Sequence, residues 1–241
     1  MEDWKQAISL AKFELRNSKR ALIILGFMLI AYTFFIINSA PIYVETGFVL
    51  FDLFFLMIIG IGAMWAKPKK FQMNKMGNDS WGKSYFVMLH QLPIRKEILI
   101  KNLFVIYYAY AVPFHTLFLV SIYAFSQTMR TVLTFPEYAA FSIIWISFGI
   151  YWGVMYPLAD LGEVNHSSNF KVTLDIILFL VTVGGGVILL QLYTGYGVVY
   201  WSMMVAKEWP LLSSILSIIA AYLGTMLALR QANKKIMKID Y

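Results

Sequence analysis

Six long apolar stretches without lysine or arginine divide this chain: Ala21–Ile37, Gly47–Trp65, Leu103–Phe125, Tyr138–Leu158, Val172–Tyr193 and Leu211–Leu229. At 1.5 Å rise per residue, each approaches or exceeds the length a helix needs to cross roughly 30 Å of hydrocarbon. The 20 basic residues are spread unevenly between them. All but two lie in the N-terminal arm, the second and fourth connections and the tail; the first, third and fifth connections hold only Arg130 and Lys207. Lysine and arginine are retained on the cytoplasmic side of a membrane. The asymmetry therefore predicts six crossings with both termini in the cytoplasm.

Composition points the same way. Apolar residues make up 60% of the chain, charged residues 14%, and the mean hydropathy is +0.67. A soluble domain carries nearer a quarter charged residues. The net charge of +7 flanks apolar segments instead of forming one basic face. It reads as a set of topology determinants and contacts to anionic lipid, not as a nucleic-acid surface. With no cysteine, disulfides and thiolate metal sites are excluded. Ala21–Ile37 reads as a retained span, because it follows a charged arm and Ser39-Ala40-Pro41 is a poor cleavage site.

The expected fold is an all-α polytopic membrane protein with accessory helices. Residues 1–20 read as an amphipathic interfacial helix, with Trp4, Ile8, Ala11 and Leu15 on one face and Lys5, Lys12, Arg16 and Lys19 on another. A transmembrane domain spans 21–229, and 230–241 is a basic cytoplasmic tail. The first connection, Asn38–Thr46, is expected as a tight hairpin at Pro41. The second, 66–102, carries a turn signal at Gly77-Asn78-Asp79-Ser80 and then a short helical pattern of Trp81, Tyr85, Met88 and Leu92, ended by Pro93. Residues 194–210 are too short to cross twice and too apolar for an open loop, which predicts an external re-entrant or interfacial helix. Pro113 is expected to kink the third span, and Gly184-Gly185-Gly186 to let the fifth bend or admit another backbone.

Enzyme signatures are missing. There is no Gly-x-x-x-x-Gly-Lys-Ser/Thr loop, no His-Glu-x-x-His pair and no Gly-x-Ser-x-Gly, and His90, His115 and His166 are scattered. The chain itself is expected not to be an enzyme and to hold no metal or cofactor. Acidic residues inside a membrane are functional candidates by default. Here Asp52 lies near a span end, and Asp175 sits four residues from Lys171, so both fit structural roles equally well. Asp52, Tyr108, His115 and Trp152 are the candidate pathway or substrate contacts. The aromatic residues, 17% of the chain, fit either a passage lining or ordinary helix packing.

The run Leu92-Pro93-Ile94-Arg95-Lys96-Glu97-Ile98 resembles a segment of bacterial type-2 ATP-binding-cassette (ABC) exporter permeases, but lacks the Ser or Thr that family usually has before the position of Arg95. An N-terminal interfacial helix, six spans, a long second connection and an extra outer helix before the last span are also features of that family. The resemblance implies a permease subunit in the bacterial cytoplasmic membrane. It implies a coupling helix over Trp81–Gln91, using Trp81, Tyr85, Met88, Leu89 and Leu92, with Arg95, Lys96 and Glu97 as its anchor. It further implies a separate cytoplasmic ATPase that binds ATP and magnesium, and a second copy of this chain or a homologous permease. The expected passenger is an amphipathic or hydrophobic peptide or an antimicrobial compound. The alternatives are export of lipid-linked or polysaccharide precursors, and a channel or carrier that works without an ATPase.

Overall fold

The computed structural model describes residues 2–65, 74–76, 80–82, 88–89, 91–161, 163–164 and 169–237. Ten helices form its frame: α1 Glu2–Arg16, α2 Lys19–Thr46, α3 Val49–Met57, α4 Lys96–Phe125, α5 Gln127–Val132, α6 Phe135–Gly153, α7 Met155–Asp160, α8 Asn169–Thr194, α9 Val198–Glu208 and α10 Pro210–Ile236. After Met57, α3 continues through a π turn, Ile58–Gly62, into a last helical turn, Ala63–Trp65. Each of the six apolar stretches is thus helical, and the chain is a helical polytopic membrane protein. Four helical segments are individually long and apolar enough to span: Lys19–Thr46, Lys96–Phe125, Phe135–Asp160 and Pro210–Ile236. The pair Val181–Thr194 and Val198–Glu208, bent by 62°, would make a fifth, and Val49–Gly62 is apolar but shorter.

Several boundaries differ from those expected. Residues 38–46 are not a hairpin: α2 runs on through Pro41 to Thr46. A missing amide near a membrane helix end is tolerated where other groups satisfy the backbone. The turn falls instead at Gly47, whose positive φ of 66° ends the helix while its amide bonds the Tyr43 carbonyl at 2.9 Å. α4 likewise continues through Pro113. At the far end α10 persists to Ile236, so most of 230–241 is helix and not a free tail.

Strands supply the other correction to an all-α expectation. β1 Asn74–Met76, β2 Ser80–Gly82 and β3 Glu163–Val164 form an antiparallel sheet in the order β1-β2-β3. The first two pair across 77–79, where the turn signal lies. β3 comes from the fourth connection, so the sheet joins two loops that are remote in sequence.

Close packing between the helices rests on aromatic rings. Tyr43 stacks on Phe51 at 4.1 Å between centroids, Phe55 meets Trp145 edge-on at 4.7 Å, and Phe55 lies tilted against Phe118 at 5.8 Å. Tyr107, Tyr110 and Trp145 are buried. In lipid, van der Waals fit must replace the hydrophobic drive between helices, and large flat rings seated against small residues provide it. Packing accounts for the buried rings among the described residues.

Candidate functional site

At one end of the bundle lie α1, the sheet, the start of α4 and the end of α10. This is the end that carries the basic residues. Trp81 does not begin a helix there: its backbone lies in β2, paired with Lys75 and Glu163. An aromatic residue followed by Gly82 suits a strand better than a helix interior, and a sheet partner from the fourth connection settles the contest. Tyr85 lies outside the described residues. Met88 and Leu89 are helical, and the Leu89 carbonyl accepts the Leu92 amide at 3.1 Å. The two neighbours point opposite ways. Leu89 is buried in a cluster with Leu99, Leu103, Leu161 and Ile236, whereas Met88 and Leu92 are 50% and 47% exposed. Leu89 is therefore part of the fold, whereas Met88 and Leu92 are offered outward.

Arg95 begins α4 in extended backbone and pairs with Asp3 of α1. Lys101 reaches the same carboxylate at 2.9 Å and lies 5.6 Å from the centre of the Trp4 ring. One turn of α4 is completed by Asn102, which donates to the Ala7 carbonyl at 3.2 Å. Buried Ala7 and Ala11 allow α1 to lie close against α4, while Trp4, Ile8 and Phe13 stay exposed. The side of α1 that packs on α4 is thus the alanine side, which leaves Trp4 and Ile8 of the expected interfacial face uncovered by the bundle. Lys96 is half-buried and Glu97 exposed on the first turn of α4. Asp3→Ala removes both ion pairs, and because they are partly exposed the expected loss is modest, about 1 kcal/mol. Limited proteolysis within α1 checks this: cleavage should quicken in the variant while the spans stay intact.

The opposite end is built around Asp52. Its carboxylate is fully buried, and Oδ1 accepts the Tyr43 hydroxyl at 2.8 Å and the Val199 amide at 2.7 Å. The Tyr43 oxygen in turn accepts the Tyr200 amide at 2.9 Å. Two side chains from the α2–α3 hairpin thus satisfy first-turn amides of α9, in place of a capping residue on α9 itself. Gly197, just before α9, is pressed so closely on the carboxylate that any side chain there would overlap it. Trp145 of α6 holds the next turn by donating to Ser202 at 3.0 Å, and Gln191 of α8 donates to the Gly47 carbonyl. A helix is therefore present where the outer one is expected, at Val198–Glu208, but its fixing by Asp52 was not legible in the sequence.

The remaining candidates lie elsewhere. His115 is buried where α4 faces Gly149 of α6, close to Ile59 in the π turn. Tyr107 donates to the Gly149 carbonyl at 2.6 Å, and Tyr156 to the Gly60 carbonyl within the π turn at 3.1 Å. Trp152 sits against Gly60. Tyr108 is turned to the other side, bonded to Thr225 of α10 at 2.8 Å. There it helps to line an open groove of about 490 Å³ between α4, α6 and α10, whose walls include Ile143, Ile146, Ile218 and Tyr222. Asp52, His115, Trp152 and Tyr108 therefore belong to three separate places and form no common path within one chain. The side chains of Lys171 and Asp175, and all of His90 and His166, lie outside the described residues. Among the described residues the Gly184–Gly186 run has no close neighbour outside its own helix: a methyl group added at any of the three would touch nothing within 4 Å. No group of three or more metal-ligating side chains occurs among the described residues.

No family model, curated protein or solved structure matches this chain.

Proposed function

We propose that this chain is the membrane subunit of a bacterial type-2 ABC exporter, crossing the cytoplasmic membrane six times with its basic end inside. The observation that carries the reading is at that end. β2 and β3 tie the second connection to the fourth, and in the same connection the exposed Met88 and Leu92 stand before and at the start of the Leu92–Ile98 segment. Apolar side chains standing out from an ordered, basic surface suit a groove on a soluble partner. An ATPase supplied separately is that partner, since the chain has no phosphate-binding loop of its own.

A second permease completes the path, because the candidate residues of one chain do not converge. The passenger is an amphipathic or hydrophobic peptide. Uncharged walls such as those beside Tyr108 and Thr225 suit apolar faces and penalise a polyanionic sugar phosphate, which would lose its hydration there.

Coexpression with a stand-alone nucleotide-binding subunit tests the reading. The two are expected to copurify, and vesicles holding both should accumulate peptide only with ATP. Transport by the purified chain alone, without ATP, would overturn it. Stimulation of ATP hydrolysis by sugar-lipid precursors but by no amphipathic peptide would keep the exporter and discard the peptide.

A further inference from the structure

Among the described residues, the second oxygen of Asp52 has no hydrogen-bond partner. Oδ1 takes both donors, while Oδ2 is buried without a hydrogen bond and faces Gly197. Among the described residues, the surrounding elements bring no compensating cation. From α2 comes the Tyr43 hydroxyl, with Glu45 exposed nearby; from α9 come Tyr200 and, at its far end, the exposed Lys207 and Glu208. α8 brings the neutral Gln191 and α6 the neutral Trp145. A bare anionic oxygen shut away from water, with no cation beside it, is far more costly than a neutral acid whose carbonyl oxygen is doubly bonded.

We propose that Asp52 is a proton-binding latch for α9: with a proton on Oδ2 it holds the first turn of the helix, and releasing that proton to water frees the turn. The proton exchanges with water at the end of the bundle where α9 lies, and no other group changes charge. In the protonated form Oδ1 keeps both donors. In the ionised form the carboxylate regains hydration only by leaving the Val199 amide, so α9 swings away from the α2–α3 hairpin. Gly197 suits this arrangement, since a side chain there would prop the latch open in either form. The inference is independent of the exporter reading, because it concerns only how α9 is held.

The absence of native cysteine makes a direct test possible. Val199→Cys places a thiol at a fully buried position beside the latch, and Lys207→Cys places one at an exposed position on the same helix. The ratio of their maleimide labelling rates, measured in lipid nanodiscs, cancels the pH dependence of the thiols themselves. The ratio is expected to rise about tenfold between about pH 5 and about pH 8. In an Asp52→Asn background, an uncharged mimic of the acid, it should stay low throughout; in Asp52→Ala it should stay high throughout. A ratio that does not change with pH in the otherwise unaltered chain would overturn the proposal. So would an Asp52→Asn profile that still climbs with pH, and the first of these readings needs no Asp52 variant to fold.

Discussion

Gly153→Val is expected to unfold the centre of the bundle, lowering stability by about 3 kcal/mol or abolishing accumulation in the membrane. The Tyr107 hydroxyl occupies the space that a β-carbon at position 153 would fill. Tyr107 is itself buried, stacked on Tyr156 at 5.9 Å, and bonded to the Gly149 carbonyl one turn earlier. A branched side chain must therefore drive the ring out of its slot and leave that carbonyl without its donor. Thermal unfolding in detergent, followed by fluorescence size-exclusion chromatography, measures the loss. Tyr107→Phe in the Gly153→Ala background should recover part of it, since only the hydroxyl and one ring edge collide. An unchanged midpoint for Gly153→Val would mean that α4 and α6 do not approach as described.

The largest functional effect is expected from charge placed on the exposed apolar pair at the basic end. Met88→Asp combined with Leu92→Asp should abolish copurification with the proposed ATPase subunit while the chain still inserts and keeps its melting temperature. An unpaired charge driven into an apolar docking groove costs several kcal/mol, enough for more than a hundredfold loss of affinity. Leu89→Asp serves as the contrasting variant. Its side chain is packed with Leu99, Leu103 and Ile236, so it should damage the fold itself. Pull-down from detergent and thermal stability separate the two outcomes. Full ATPase capture by the double variant would place the contact away from Met88 and Leu92.

Much of the architecture was legible because lipid imposes simple rules. Length and hydropathy located all six helical stretches and the short helix α9. The misreadings came where a local signal met a tertiary competitor. Pro41 was read as a turn, yet the helix continues and the left-handed Gly47 ends it six residues later. Trp81 begins a helical pattern with Tyr85, Met88 and Leu92, but its backbone joins β1 and β3. Periodicity of four residues carries no information about a strand from another loop. Asp52 shows the same limit at the site level. Its depth in the stretch was readable, whereas its bond to the Val199 amide, 147 positions away, depends on where α9 docks.

The sheet at the basic end also sets an order of events during synthesis. Trp81 meets Glu163 across 82 positions of chain, and α4, α5, α6 and α7 all lie between them. A ribosome adding residues in sequence leaves β2 with an open edge until both long intervening helices have been made and turned around. That edge can recruit a foreign strand for as long as it waits. Closure by β3 therefore marks the moment when the N-terminal two-thirds of the bundle has inserted in register. A chain whose α4–α6 pair is delayed or inverted carries its fault as an unpaired strand at the surface, where quality-control proteases work.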